Sequence, residues 1–167
     1  RYQYPSIELL DNPPEDKYVV SDEELWANAK ILEDKLLDFK VSATVSNVIS
    51  GPVITMFELK PDLGVRVNKI ETLMPDISLS LSAKGIRFLG QVPGRDTLGI
   101  EIPNAHRKLV TFKEIINSEK FVNSDYDLPV VLGKGVSGEI IVADLASMPH
   151  VLIAGATGSG KSVGVNA

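Results

Sequence analysis

Cysteine is absent from all 167 residues, which excludes disulfide bridges and thiolate metal centres and fits a reducing interior. Long apolar runs are missing too. No stretch reaches eighteen residues and no short apolar segment with a basic flank lies near residue 1, so a soluble, cytoplasmic piece without membrane contact is expected. Basic charge is in short supply: the net charge of −5 argues against a chain whose whole surface binds nucleic acid. The deficit is uneven, however. Residues 1–40 hold five Lys/Arg against ten Asp/Glu, whereas residues 66–113 hold eight (Arg66, Lys69, Lys84, Arg87, Arg95, Arg107, Lys108, Lys113) against four. The sequence leaves open whether these cations share one face or are solvated singly around a small domain. What the chain does have is 44% hydrophobic residues, enough for one core of ordinary size or one domain and a portion of another.

Pro5, Pro13 and Pro14 sit among acidic and turn-forming residues, so residues 1–20 are expected to form an extended arm. Ser21 and Glu24 then make a capping box. Leu25, Ala29, Leu32, Leu36 and Phe39 recur at spacings of four and three, which predicts a helix over 21–39 packed on a core; fewer than three heptads are present for a coiled coil. Val41, Ala43 and Val45 alternate with polar residues, Ser50-Gly51-Pro52 turns the chain, and Thr55, Phe57 and Leu59 face away from Ile54, Met56 and Glu58: two strands. Over 68–83 periodicity leaves both helix and strand open, since Ile70, Leu73 and Met74 suit one while Ile77, Leu79 and Leu81 suit the other. Residues 86–91 and 98–102 flank the turn-forming Pro93-Gly94-Arg95-Asp96 and predict a hairpin; a short helix follows near 111–117. The polar stretch 118–128 is expected to link two units. Strands at 129–132 and 139–143 enclose Gly133 to Gly138, which is read as a hairpin loop rather than an anion site because no helix signal follows it.

Val151-Leu152-Ile153-Ala154 is a continuous apolar run of the kind found in strands buried on both faces. Gly155-Ala156-Thr157-Gly158-Ser159-Gly160-Lys161-Ser162 follows directly and satisfies G-x-x-x-x-G-K-[ST] at each fixed position. Each residue type has its own task. Gly155, Gly158 and Gly160 admit backbone conformations closed to other residues, so that successive N–H groups surround a phosphate. Lys161 is expected between the β- and γ-phosphates of ATP, and the Ser162 hydroxyl on Mg²⁺. A helix starting near Gly160 adds its positive end. The alternative is an ordinary glycine-rich strand-to-helix turn. His150, just ahead of the run, reads as a structural contact rather than a base. The loop does not supply hydrolysis alone, because the Mg²⁺-binding acid and the water-positioning group lie elsewhere in such enzymes. The expected fold is therefore an α+β domain, helix with antiparallel strands, followed by the beginning of a P-loop RecA-like α/β domain. Weak nucleotide binding without hydrolysis is expected of these 167 residues by themselves.

The run from Met148 to Ala167 resembles the Walker A region of the FtsK/SpoIIIE DNA translocases. Gly51 to Leu59, Gly64-Val65, Val92-Pro93-Gly94 and Gly99 to Asn104 are similar to the α domain that precedes the RecA-like β domain in that family, so that the likeness covers roughly residues 21–167. The resemblance implies a homo-hexameric, ATP-driven motor that moves double-stranded DNA in chromosome partition, cell division or sporulation. It implies an arm over 1–20, a ring-forming α domain over 21–117, a link over 118–128 and the start of the motor domain over 129–167. It also implies that 68–83 is helical, that most DNA-gripping loops lie in the β domain, and that the parent is anchored in the bacterial inner membrane by an N-terminal region not included here. A related ring ATPase of secretion or conjugation, moving protein or protein–DNA substrates, shares the same loop.

Overall fold

The computed structural model describes residues 5–14, 20–83 and 85–166. Residues 1–4 and 15–19 of the expected arm lie outside these, as do Lys84 and Ala167. Within the arm, Ile7–Leu9 is a 3₁₀ turn whose N-cap, Ser6, accepts a hydrogen bond from the Glu8 amide.

Helix α1 (Asp22–Asp38) begins where the sequence signals it, with the Ser21 hydroxyl accepting from the Glu24 amide and three acids in the first turn beside the positive helix end. The expected stripe faces inward: Ala29, Leu32 and Leu36 are buried, and Phe39 packs at their edge. Past Phe39 the chain reverses through Lys40, which is in the left-handed region at φ 56°, and the Val41 amide donates back to the Leu36 carbonyl. This places buried Val41 against the last turn and delivers the chain into β1 (Ala43–Ser50).

Strand β1 pairs antiparallel with β2 (Ile54–Pro61), and β2 in turn with β4 (Leu98–Pro103), whose other neighbour is β3 (Arg87–Gln91); the sheet order is β1-β2-β4-β3. Between β2 and β3 run α2 (Val67–Thr72) and α3 (Met74–Ser80). The stretch 68–83 is thus helical, interrupted at Leu73, with Pro75 in the first turn of α3 where no amide donor is needed. Burial explains the outcome. Ile70, Met74 and Ile77 follow a spacing of four and three into the core, whereas Leu79, which a strand would have placed beside Ile77, is 82% exposed. Phe57, Leu59, Leu98 and Ile100 meet these helices and α1 from the sheet. Pleating turns Glu58 to the opposite face, which carries charged pairs instead.

A second, smaller unit follows. Helix α4 (Phe112–Ile116) opens with a complete capping box between Thr111 and Glu114 and packs on β5 (Pro129–Lys134). Strand β5 pairs antiparallel with β6 (Ile140–Asp144), as the hairpin reading of 133–138 requires. The stretch 118–128, expected to be a link, contains α5 (Glu119–Val122) capped by Ser118; this helix leans on β6, with Lys120 Nζ donating to the Ile140 carbonyl at 2.6 Å. Ile115 and Val142 are the buried apolar side chains of this unit. The units meet where the Gly51-Pro52 turn touches the β5–β6 loop. A Cβ on Gly51 would collide with the Val136 carbonyl oxygen, so glycine sets the closeness of that approach.

The architecture is the α+β domain followed by the opening of a further unit that the sequence predicts. One expected strand is absent. Residues 151–154 form no strand: Val151, Leu152 and Ile153 are 51%, 91% and 57% exposed. A strand exists only through hydrogen bonds to a neighbour, and no described strand runs beside this segment. Helix α6 (Lys161–Asn166) then closes the described chain.

Candidate phosphate-binding loop

Gly155 to Ser162 lead from the extended 151–154 segment into α6, and every residue of the loop is exposed. The turn is closed by the Ser159 amide donating to the Ala156 carbonyl at 3.1 Å, and α6 starts with the Gly164 amide on the Gly160 carbonyl at 2.8 Å. Gly158 and Gly160 have φ of 82° and 86°, a region open to glycine and strained for other residues. Gly155 does not share that conformation, which corrects the reading that all three glycines serve the same purpose. A Cβ there would meet the Ser159 hydroxyl, the free end of a side chain that can turn aside.

The Lys161 ammonium folds back over the loop and donates to the Gly155 carbonyl at 2.7 Å. It is therefore held within the loop by a neutral acceptor that an anion outcompetes. Ser162 follows in the first turn of α6. These features fit a nucleotide's phosphates: two glycines in left-handed conformations, a cation on a neutral acceptor within the loop, and a hydroxyl one residue on. His150 is exposed ahead of the apolar run.

Among the described cations of 66–113, four are engaged with separate partners. Arg95 chelates the buried Glu58 carboxylate at 2.8 and 2.6 Å, Arg87 pairs with Glu101, and Lys69 donates to the Lys40 carbonyl. Lys113 is turned inward, to the N-terminal arm. The β5–β6 loop is likewise unsuited to anions, since it presents Glu139, whose carboxyl is held below its usual range first by the Ser137 hydroxyl. Asn104, which carried no chemical signal by itself, ties the β1–β2 turn to β2: it donates to the Gly51 carbonyl at 2.8 Å and accepts from Thr55 at 2.7 Å. Among the described residues no three metal-ligating side chains cluster, and no helix is long and apolar enough to cross a membrane.

Comparison with known proteins gives two adjoining family matches. Residues 4–104 match the FtsK alpha domain and residues 111–167 match the FtsK/SpoIIIE family. The chain is 43% identical over 162 residues to a DNA translocase FtsK of Haemophilus ducreyi and 46% identical over 162 residues to one of Shewanella oneidensis, covering 97% of this chain in both cases. It spans 17% and 18% of those relatives, under a fifth of their length. A solved structure described as "Structure of pCW3 conjugation coupling protein TcpA monomer form with ATPgS" overlaps 84% of this chain and 39% of its own, at 19% identity. Its TM-score is 0.36, too low to carry a structural argument.

Proposed function

We propose, since this chain belongs to the FtsK/SpoIIIE family, that it is the ring-forming domain and the start of the motor domain of an ATP-driven double-stranded DNA translocase. The parent acts as a homo-hexamer in chromosome partition during division or sporulation, anchored in the bacterial inner membrane by another part of its sequence. The observation that supports this reading is the loop itself: Gly158 and Gly160 in left-handed conformations, with Lys161 at 2.7 Å from the Gly155 carbonyl, within the residues that match the FtsK/SpoIIIE family.

On phosphate entry Lys161 exchanges the Gly155 carbonyl for phosphate oxygens, a move of its flexible stem that leaves the backbone in place. Gly155, Ala156, Thr157, Gly158, Ser159 and Gly160 contribute backbone donors, and Ser162 contributes its hydroxyl to Mg²⁺. ATP with Mg²⁺ supplies the phosphoryl chemistry when bound. The acid and arginine that complete hydrolysis come from other parts of the parent, so these 167 residues by themselves bind nucleotide weakly and turn none over. The packing of α4 on β5 supports a unit boundary between residues 104 and 111, ahead of α4, instead of within 118–128. Exposed Val151, Leu152 and Ile153 become a central strand when the parent's remaining strands flank them.

The test is DNA-stimulated ATP hydrolysis by the full-length parent. Lys161→Ala is expected to lower kcat by about a hundredfold or more while the hexamer still assembles. Turnover unchanged by that substitution would place the motor site elsewhere.

A further inference from the structure

Lys113 is a cation in an unusual position. It projects from α4 in the second unit with its side chain only 10% exposed, and its hydrogen-bond partners lie more than a hundred residues earlier. The ammonium donates to the Leu10 carbonyl at 3.1 Å and approaches the Glu8 carboxylate at 3.4 Å. An ammonium withdrawn from water is costly unless its donors are satisfied, and here the N-terminal arm supplies both acceptors. The arm is shaped for this. The Ile7–Leu9 turn, with Leu9 and Leu10 amides donating to the Ser6 and Ile7 carbonyls, presents Glu8 and the Leu10 carbonyl to the same ammonium.

The connectivity gives this contact a consequence. The arm enters ahead of α1, so the covalent path from it to α4 runs through the whole four-stranded unit; the Lys113 contact crosses directly. We propose that the arm is a releasable strap that fastens the N-terminal side of the chain to the nucleotide-loop unit, bypassing the four-stranded unit. Release is built in, because Glu8 is 78% exposed and its attraction to Lys113 is screened by salt. Opening the strap leaves the two units joined by the chain and by contacts at the Gly51-Pro52 turn, where the Lys108 amide donates to the Pro52 carbonyl and Gly51 meets Val136. The strap is independent of nucleotide, so its test stands or falls apart from the motor assignment.

Residue-resolved amide exchange on the 167-residue chain, without nucleotide, decides it. In low salt the Leu9 and Leu10 amides are expected to exchange at least about tenfold slower than in a free peptide of the same sequence. Lys113→Met, Glu8→Lys and salt of roughly 0.5 M are each expected to remove that protection while α1 and β2 amides keep theirs. Lys113→Arg retains it in part. Glu8→Lys guards against misfolding, since it alters an exposed side chain and sets two cations against each other. Leu9 and Leu10 exchanging at free-peptide rates in the unaltered chain, or equally slowly in Glu8→Lys, would overturn the strap.

Discussion

Asp96 and Lys60 meet at 2.6 Å across the polar face of the sheet, pinning the β3–β4 turn onto β2. The hydrogen bond from Lys60, and then its charge, hold the Asp96 carboxyl below the usual carboxylate range. A carboxyl lowered in the folded state adds stability that is present above its unfolded value and is lost as pH falls through the folded one. The expected result in an NMR titration is a midpoint for Asp96 below that of an unpaired aspartate, returning to the usual range in Lys60→Met. A midpoint indifferent to that substitution would remove the ion pair from the account. Neither this pair nor the neighbouring Arg95–Glu58 chelate was legible in the sequence, where Pro93-Gly94-Arg95-Asp96 reads only as a turn. The partners lie 36 and 37 residues away, and pairing across a sheet depends on register, which local pattern does not fix. The loop from Gly155 to Ser162 could be proposed from the sequence because its signal is local: eight consecutive positions match one motif.

Among the elements, those with their own start signals and unambiguous periods lie where the sequence put them, α1 foremost. Its end was harder to read. Lys40 takes the left-handed position that glycine favours, and nothing in the residue type announces this. Lys40→Gly is accordingly expected to raise stability by about 1 kcal/mol through relief of that strain, less what the freer unfolded chain takes back, seen as a higher urea midpoint. A lower midpoint would show that the turn is not strained. The 68–83 stretch was ambiguous for a physical reason: Ile77, Leu79 and Leu81 alternate locally, but burial of Ile70, Met74 and Ile77 under α1 decides for helix. The 151–154 run fails in the opposite direction. Its apolar composition signals a buried strand, yet strand formation requires a neighbour that composition does not supply.

At the scale of the molecule, two units share one chain: a four-stranded sheet under three helices, and a smaller hairpin with its helices leading to the glycine loop. They touch at Gly51 and are bridged by the arm at Lys113. The division into an α+β domain and a motor opening was legible from element order and from the loop, whereas the bridge was not, because a lone lysine in a short helix reads as solvated until its burial is seen. The central claim is that the backbone of Gly155 to Ser162 receives the phosphates of a nucleotide. Amide chemical shifts of the 18.1 kDa chain during titration with a slowly hydrolysed ATP analogue and Mg²⁺ test it most directly. The account predicts that the largest displacements fall on Gly158, Ser159, Gly160, Lys161 and Ser162, saturating at roughly millimolar ligand and vanishing in Lys161→Ala. Displacements concentrated elsewhere, with those five amides unmoved, would contradict it.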